Sequence, residues 1–305
     1  MNNPYKSSGD LKMLPSFVCY ADILGYSQLS QEAIRSGNGL LFLNKLYAAL
    51  TNAYNRIREH SKGLGEHSFF AVKVFTDNIV VGYPLDRAAY DYGEPEFGDI
   101  LSFFSEFQVG LAMEGFFLRG GVALGNHYMD DDIVFGDALL EAVAQDKGGG
   151  PPRITLTPSV IELVRHQMGF YGEDISNTPH YEDLLEDADG SIFLNYLGEA
   201  FSVFPDEGII FEIIKGHQEH INNGLKEYRG NPSVRAKYEW LARYHNFVCN
   251  EIAGMYQISP LEADEALIAA GAEALQLLDY RIDIESLAAM PCRMKLSPIK
   301  LTRSK

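Results

Sequence analysis

The apolar positions fall into blocks whose spacing predicts the elements of the chain. Phe17 to Ala21 is an uninterrupted apolar run closed by Asp22, the pattern of a buried strand. Leu40, Leu43, Leu46, Leu50, Tyr54 and Ile57 then recur at helical spacing until Lys62-Gly63-Leu64-Gly65 breaks the pattern. Phe69 to Phe75 and Asn78 to Tyr83 read as two short strands. The Asp-Asn chemistry of the intervening Thr76-Asp77-Asn78 suits a hairpin, and Pro84 ends the second strand. Ile100, Phe103, Phe104, Phe107 and Leu111 give the stripe of a helix over 99–115. A strand over Phe116 to Leu124, an Asp-rich turn at Asp130 to Asp132 and a short strand over Ile133 to Phe135 follow.

The order strand, helix, strand, strand, helix, strand is that of a ferredoxin-like split βαβ arrangement, so the predicted class is α+β. In that arrangement the first two strands run parallel, with the third antiparallel between them. The end of the first strand then lies beside the hairpin joining the next two. Asp22 and Asp77 occupy those two places, so two carboxylates far apart in sequence are expected at one edge of the sheet.

Beyond Gly136 the pattern predicts a helix over 137–146, a strand over 153–156, and a helix capped at Thr157 with Pro158 in its first turn. An acidic loop over 171–189 and a strand over 193–197 come next. Helical stretches near 206–225, 232–254 and 259–278 complete the reading. The chain is expected to divide into an α+β part, residues 1–204, and a mostly helical part, 205–305, packed on it.

Composition narrows the function. The 305 residues suffice for a sizeable core, and 46% of them are hydrophobic. A net charge of −17 repels nucleic acid and anionic membrane surfaces. It tolerates a small anionic substrate where bound metal ions reverse the local sign. Cys19, Cys249 and Cys292 contain no CxxC pair and do not make a disulfide framework, which suits a reducing cytoplasm. The polar N-terminal stretch lacks an apolar segment of signal-peptide type, and no uncharged apolar run approaches the roughly 18 residues that span a bilayer. A soluble cytoplasmic protein is expected.

Two carboxylates at adjacent strand ends suit Mg²⁺ or Mn²⁺, which take oxygen ligands and commonly share them with substrate phosphates. Taken singly, Asp22 reads in preference as a helix cap and Asp77 as a turn residue; it is their expected adjacency that favours the metal role. Lys73, four residues before Asp77, points to the same sheet face and reaches a base or a phosphate, or else is a solvated lysine. Phe75 is read as a nucleobase platform or, in preference, a core residue. His127 falls in the turn after Gly125, and Asp130 to Asp132 reads as an acidic hairpin turn.

These residues carry a resemblance. Asp22-Ile-Leu-Gly25-Tyr26-Ser27, Lys73-Val-Phe-Thr-Asp77 and Arg119-Gly-Gly121-Val-Ala-Leu-Gly125 resemble three motifs of the class III nucleotide cyclases, over roughly residues 15 to 160. The resemblance implies that Asp22 and Asp77 hold two Mg²⁺ or Mn²⁺ ions with help from the Ile23 carbonyl. It also implies that Gly25, Tyr26 and Ser27 present backbone N–H groups to a triphosphate, and that catalysis takes place in a homodimer. Leu118 to Gly125, Asp131 to Ala142, Pro152-Arg153-Ile154 and Lys237 to Asn246 are similar to a narrower branch, the bacterial pyrimidine cyclases of the Pycsar anti-phage systems. Membership there implies UTP, or alternatively CTP, as substrate and a cyclic nucleotide that acts on a separate effector.

The chain also departs from the family. Thr76 stands where the hairpin usually has glycine. Leu140 and Ala144 stand where purine cyclases carry the Asn and Arg that steady the transition state, and neither side chain donates a hydrogen bond. Ile133 replaces their base-reading acid. Arg119 and Arg153 are the candidates for that missing charge, each with a structural salt bridge as the alternative. A purine cyclase and a non-catalytic nucleotide-binding module remain the rival functions.

Overall fold

The structure, a computed structural model, describes residues 3–7, 10–63, 71–85, 93–146, 149–172, 175–198, 207–255, 275–284 and 289–296. The helix expected over 259–278 falls outside these residues as far as position 274, and so does the start of the strand expected at Phe69.

A short hairpin, β1 (Lys6–Ser7) and β2 (Asp10–Leu11), leads into the long central strand β3 (Leu14–Ile23). The polar start of the chain gave no sign of this hairpin. Tyr5 fixes it in place, fully buried and hydrogen-bonded to Ser16 Oγ at 2.8 Å. Helix α1 (Tyr26–Arg35) was not picked out either: its inward stripe, Tyr26, Leu29 and Ala33, is short and only partly buried. Helix α2 (Gly39–Gly63), β4 (Ala71–Phe75), β5 (Asn78–Pro84), α3 (Glu94–Ala112) and β6 (Leu118–Met129) follow the expected order. Next come β7 (Val134–Gly136), α4 (Asp137–Asp146), β8 (Ile154–Leu156) and α5 (Pro158–Met168). The acidic stretch read as loop contains a short strand, β9 (Leu184–Glu186), that pairs with β10 (Ile192–Leu194). Helices α6 (Glu207–Glu227) and α7 (Pro232–Met255) and the edge strand β11 (Cys292–Arg293) complete the described chain.

The main sheet runs β11–β9–β10–β8–β6–β3–β5–β4, with β7 pairing off β6; only β6 and β8 are parallel. The class is α+β with a mixed sheet. Its four strands β6–β3–β5–β4 have the expected order and directions. One face of β3 and β5 (Phe17, Cys19, Ala21, Ile23, Ile79 and Val81) buries against Leu46, Ala49 and Ala53 of α2 and the phenylalanines of α3. On the other face Val18 and Ala123 pack against Ala138 and Ala142 of α4. Covering on both sides explains why β3 reads as a continuous apolar run. Helix α4 comes this close because β6 is cut down beneath it: a Cβ on Gly121 would lie 3.0 Å from the Ala142 carbonyl oxygen and 2.6 Å from Gln145 Cγ.

A second core joins the sheet to the C-terminal layer, uniting Leu24, Val109 and Phe117 with Phe193, Tyr196 and Leu197 and with Ile214, Ile221, Trp240, Tyr244 and Val248. The residues beyond 205 therefore pack on the α+β part through a shared interior. At its centre lies a chain of buried imidazoles. His245 Nε2 is 2.9 Å from the Tyr280 carbonyl, which can only accept, so that nitrogen carries the proton. His245 Nδ1 must then accept from His217 Nδ1 at 3.0 Å, and His217 Nε2 from the Tyr196 hydroxyl at 2.7 Å. A proton added to His245 Nδ1 would set two N–H groups against each other.

Burial lowers the pKa of His245 from the usual 6.5 to about 4, and burial together with the neighbouring His245 and His220 holds His217 well below its usual value. Both histidines take up protons more readily when unfolded, so stability falls as pH drops from 6.5 toward 4. For His245 alone the fully expressed cost is about 3 kcal/mol. Chemical denaturation at pH 7.5 and pH 5.0 is expected to give a lower unfolding free energy at pH 5.0, by about 2 kcal/mol or more. In a His217→Phe, His245→Leu variant that difference is expected to shrink. Equal unfolding free energies at the two pH values in the wild type would contradict the neutral chain.

Candidate active site

Asp22 ends the central strand at a point where apolar cores meet. Ile23 enters the interior below α2, and Leu24 enters the second core while its N–H donates to the Phe117 carbonyl at 2.8 Å. Only 7% of Asp22 is exposed. A charge that buried needs a partner. Arg119, directly opposite in the β3–β6 register, supplies it: Nε and Nη2 donate to Asp22 Oδ2 at 2.9 and 2.7 Å. Both donors grip one oxygen, so the guanidinium leaves Oδ1 to other partners.

On the other flank Asp22 is in register with Asn78, the first residue after the β4–β5 hairpin. The Ile23 N–H donates to the Asp77 carbonyl at 3.2 Å, tying the hairpin to the end of β3. The two aspartates expected together are thus together. The Asp77 carboxylate accepts from Thr76 Oγ1 at 2.8 Å and from Asn78 Nδ2 at 3.2 Å. Asn78 in turn accepts from the Tyr20 hydroxyl through Oδ1. Asn78 and Tyr20 organise the site, and neither was picked out from the sequence. The alternation of β3 puts Tyr20 on the Asp22 face, which is the signal that could have found it.

Two carboxylates and a main-chain carbonyl make an all-oxygen donor set, the kind that suits a hard divalent cation sharing its shell with phosphate. Among the described residues no group of three or more His, Cys, Asp or Glu side chains could hold a metal by itself. The pair would therefore need substrate oxygens to complete a shell. Its one reservation as a ligand set is the hold of Arg119 on Asp22.

Gly25 takes a left-handed φ of 73° as the N-cap of α1, with no side chain capping the first turn. The N–H end of a helix, which carries partial positive charge, thus starts three residues after Asp22. The Tyr26 ring turns inward onto Phe42, at 6.2 Å between centroids, so only its backbone faces this end; Ser27 is exposed. Lys73 and Phe75 lie on the Asp22 face through the registers Lys73–Val80 and Phe75–Asn78. Lys73 Nζ donates to the Asp130 carbonyl at 3.3 Å, so it is neither free in solvent nor turned onto the aspartates. Phe75 is 74% exposed, which overturns the preference for a core role.

Other candidates are corrected. Arg153 does not join the aspartates. Its guanidinium is buried between Asp187 and Asp189 and lies over the rings of Phe193 and Trp240, while Trp240 Nε1 donates to Asp187 at 2.6 Å. The β9–β10 turn folds back over β8 and claims it, a long-range contact that the motif around Arg153 does not announce. His127 lies within β6, fully buried beside Tyr5, and not in a turn. Asp130 is a turn residue as expected: it accepts from the N–H groups of Asp132 and Ile133 and pairs with Lys6 at 2.6 Å.

Comparison with protein-family models finds no matching family, and comparison with curated protein sequences finds no match. The functional reading rests on these residues and their geometry.

Arg153→Ala should strand the buried Asp187 carboxylate and cost about 3 kcal/mol in chemical denaturation, the usual range for breaking a buried pair. A loss under 1 kcal/mol would contradict the clasp. Thr76 holds φ 60°, a left-handed value that strains a β-branched residue. Thr76→Gly is expected to raise the unfolding free energy by about 1 kcal/mol, since the relief of strain exceeds the exposed hydroxyl contacts with the Phe75 carbonyl, Asp77 and Asn78 that it gives up. A fall in stability would mean that the Thr76–Asp77 bond holds the hairpin.

Proposed function

We propose that the chain is a nucleotide cyclase that converts UTP or CTP to the 3′,5′-cyclic nucleotide and pyrophosphate. The observation that carries this reading is the meeting of Asp22 and Asp77 at the joined ends of β3 and the β4–β5 hairpin. Asp22 and Asp77, with the Ile23 carbonyl, would hold two Mg²⁺ or Mn²⁺ ions, which there would neutralise phosphate charge and favour ionisation of the ribose 3′-hydroxyl. The 3′-oxygen forms its bond to the α-phosphorus as the bond to the β-phosphate oxygen breaks; pyrophosphate leaves and the hydroxyl proton passes to solvent.

The chain's own residues position the substrate. The N–H groups at the start of α1, beyond Gly25 and through Tyr26 and Ser27, receive phosphate oxygens. Arg119 presents two donors that a phosphate oxygen can take over from Asp22, placing positive charge where the transition state gathers negative charge. Exposed Phe75 offers a flat surface to a pyrimidine, and Lys73 has ammonium protons beyond the one given to Asp130. Leu140 and Ala144 offer nothing in the places where purine cyclases use Asn and Arg, which favours a pyrimidine substrate.

A homodimer completes the proposed site. Phe75, Ile133, Phe135 and Leu140 are all more than half exposed on β4, β7, α4 and the turn before β7, the elements that border the Asp22 face. Such apolar exposure marks an association surface. The product would serve as a second messenger for a separate effector in anti-phage defence, as the resemblance to the Pycsar cyclases implies. Among the described residues no helix is long and apolar enough to cross a membrane.

One observation favours a second reading. The salt bridge from Arg119 already neutralises Asp22, as a non-catalytic nucleotide-binding module would allow. Turnover separates the two. Each of the four ribonucleoside triphosphates, labelled at the α-phosphate, would be incubated with Mn²⁺ or Mg²⁺. A cyclic product from UTP or CTP alone is expected, reduced at least a thousandfold in Asp22→Ala and Asp77→Ala. A product from ATP or GTP would make the enzyme a purine cyclase. Nucleotide binding without turnover by folded protein would support the module. Leu140→Asp, at a position exposed in the single chain, should dissociate the dimer in sedimentation and abolish turnover while circular dichroism shows the protomer still folded; a monomeric wild type would refute the shared site.

A further inference from the structure

Helix α2 is apolar on two sides. Its inner side, with Leu46, Ala49 and Ala53, belongs to the main core. A second set, Leu40, Leu43, Tyr47, Leu50 and Tyr54, recurs at alternating steps of three and four residues, the heptad spacing of a helix that packs along another helix. Leu50 and Tyr54 are partly buried within the chain, whereas Leu40, Leu43 and Tyr47 face outward. Ile34 of α1 lies beside the start of this seam, since a Cβ on Gly39 would be 3.3 Å from Ile34 Cγ1. Ile34, Leu40, Leu43 and Tyr47 are 56 to 71% exposed. A surface helix normally turns a polar side outward, so an apolar outer seam calls for a partner.

The surroundings of the seam select the partner. From Ser36 to Asn55 the only charged residue is Lys45. Helical geometry puts Lys45 on the side of α2 away from the seam, with its ammonium 5.5 Å from the centre of the Phe116 ring. Positions flanking a heptad seam choose partners by charge. Here they are Asn44 and Thr51 on one flank and buried Leu46 and Ala53 on the other. These positions carry no charge to attract an oppositely charged foreign helix and none to repel the same helix of a second copy. A net charge of −17 keeps copies apart over the rest of the surface, so an uncharged seam is where two of them can meet. Four large side chains from each of two copies bury on the order of 1,000 Å², the least that a specific interface needs.

We propose that the α2 seam, with Ile34, is a self-association surface on which a second copy of the chain packs about a two-fold axis. Helix α2 covers the sheet face opposite Asp22, so this surface is distinct from that of Phe75, Phe135 and Leu140 and does not rest on the cyclase reading. An interface at the low end of the size range associates weakly, so assembly through it rises with protein concentration.

Sedimentation of the full-length protein from micromolar to near-millimolar concentration tests the surface. The weight-average mass is expected to climb to twice its dilute value. Leu40→Glu with Tyr47→Glu should hold it at the dilute value while circular dichroism shows the protomer still folded. Cross-linking locates the contact. In a Cys292→Ser background, at least one of Leu40→Cys, Leu43→Cys and Tyr47→Cys should give a covalent dimer with a short bis-maleimide. Asn52→Cys, exposed on the other flank of α2, should give at least tenfold less. Adding Leu140→Asp, which breaks association across the Asp22 face, should leave the seam cross-link in place, so the two surfaces are tested separately. The proposal is overturned if the wild-type mass does not rise, if Leu40→Glu with Tyr47→Glu leaves the rise unchanged, or if the seam cysteines cross-link no better than Asn52→Cys. Co-sedimentation of a non-associating wild type with phosphatidylcholine vesicles, lost in the double variant, would assign the seam to a lipid surface instead.

Discussion

A carboxylate at the end of a nearly enclosed central strand must be paired, and the arrangement around Asp22 follows from that requirement. With 7% of the residue exposed, solvation is largely lost, and the register of β6 brings Arg119 onto its Oδ2. The same strand end is fixed on its other side by the main-chain bond from Ile23 to Asp77. Asp22 thus sits between a permanent cation and the hairpin that carries a second carboxylate. The pairing that stabilises the fold is also the one a phosphate-bearing substrate would have to exchange.

The loop after Asp22 is held by hydrophobic burial more than by polar contacts. Ile23 and Leu24 point into different cores, one beneath α2 and α3, the other shared with α6 and α7. Neither core can shift without moving the start of α1. The opposite face is set by α4, whose close seat over β6 depends on the missing Cβ of Gly121. The motif Arg119-Gly-Gly121 therefore joins two physical tasks, a charged end and a bare surface two residues on. That gives the glycine a packing reason independent of any resemblance.

Arg153 shows how tertiary context reassigns a residue. An arginine before a strand in a motif reminiscent of phosphate chemistry is a fair candidate for that chemistry. Here Asp187, Asp189 and the rings of Phe193 and Trp240 surround it, and burial makes the pair costly to break. The residue fastens the β9–β10 turn and α7 to β8. The C-terminal layer is thereby tied to the sheet by charge as well as by apolar burial.

The order of the four central strands was legible in the sequence, because alternation, continuous apolar runs and turn residues are local signals, and the split βαβ order follows from them. The sequence also determined that Asp22 and Asp77 share an edge, since that topology leaves them no other place. Elements with a weak local signal escaped it. Helix α1 has no fully buried residue, the β1–β2 hairpin is anchored by scattered contacts of Tyr5 and Lys6 with distant segments, and β9 is three residues long. The partners came from the fold: Arg119 for Asp22, Asn78 for Asp77, Asp187 for Arg153, and His217 for His245. Pairing between side chains is set by register, twist and burial across distant segments, and no spacing along the chain encodes it.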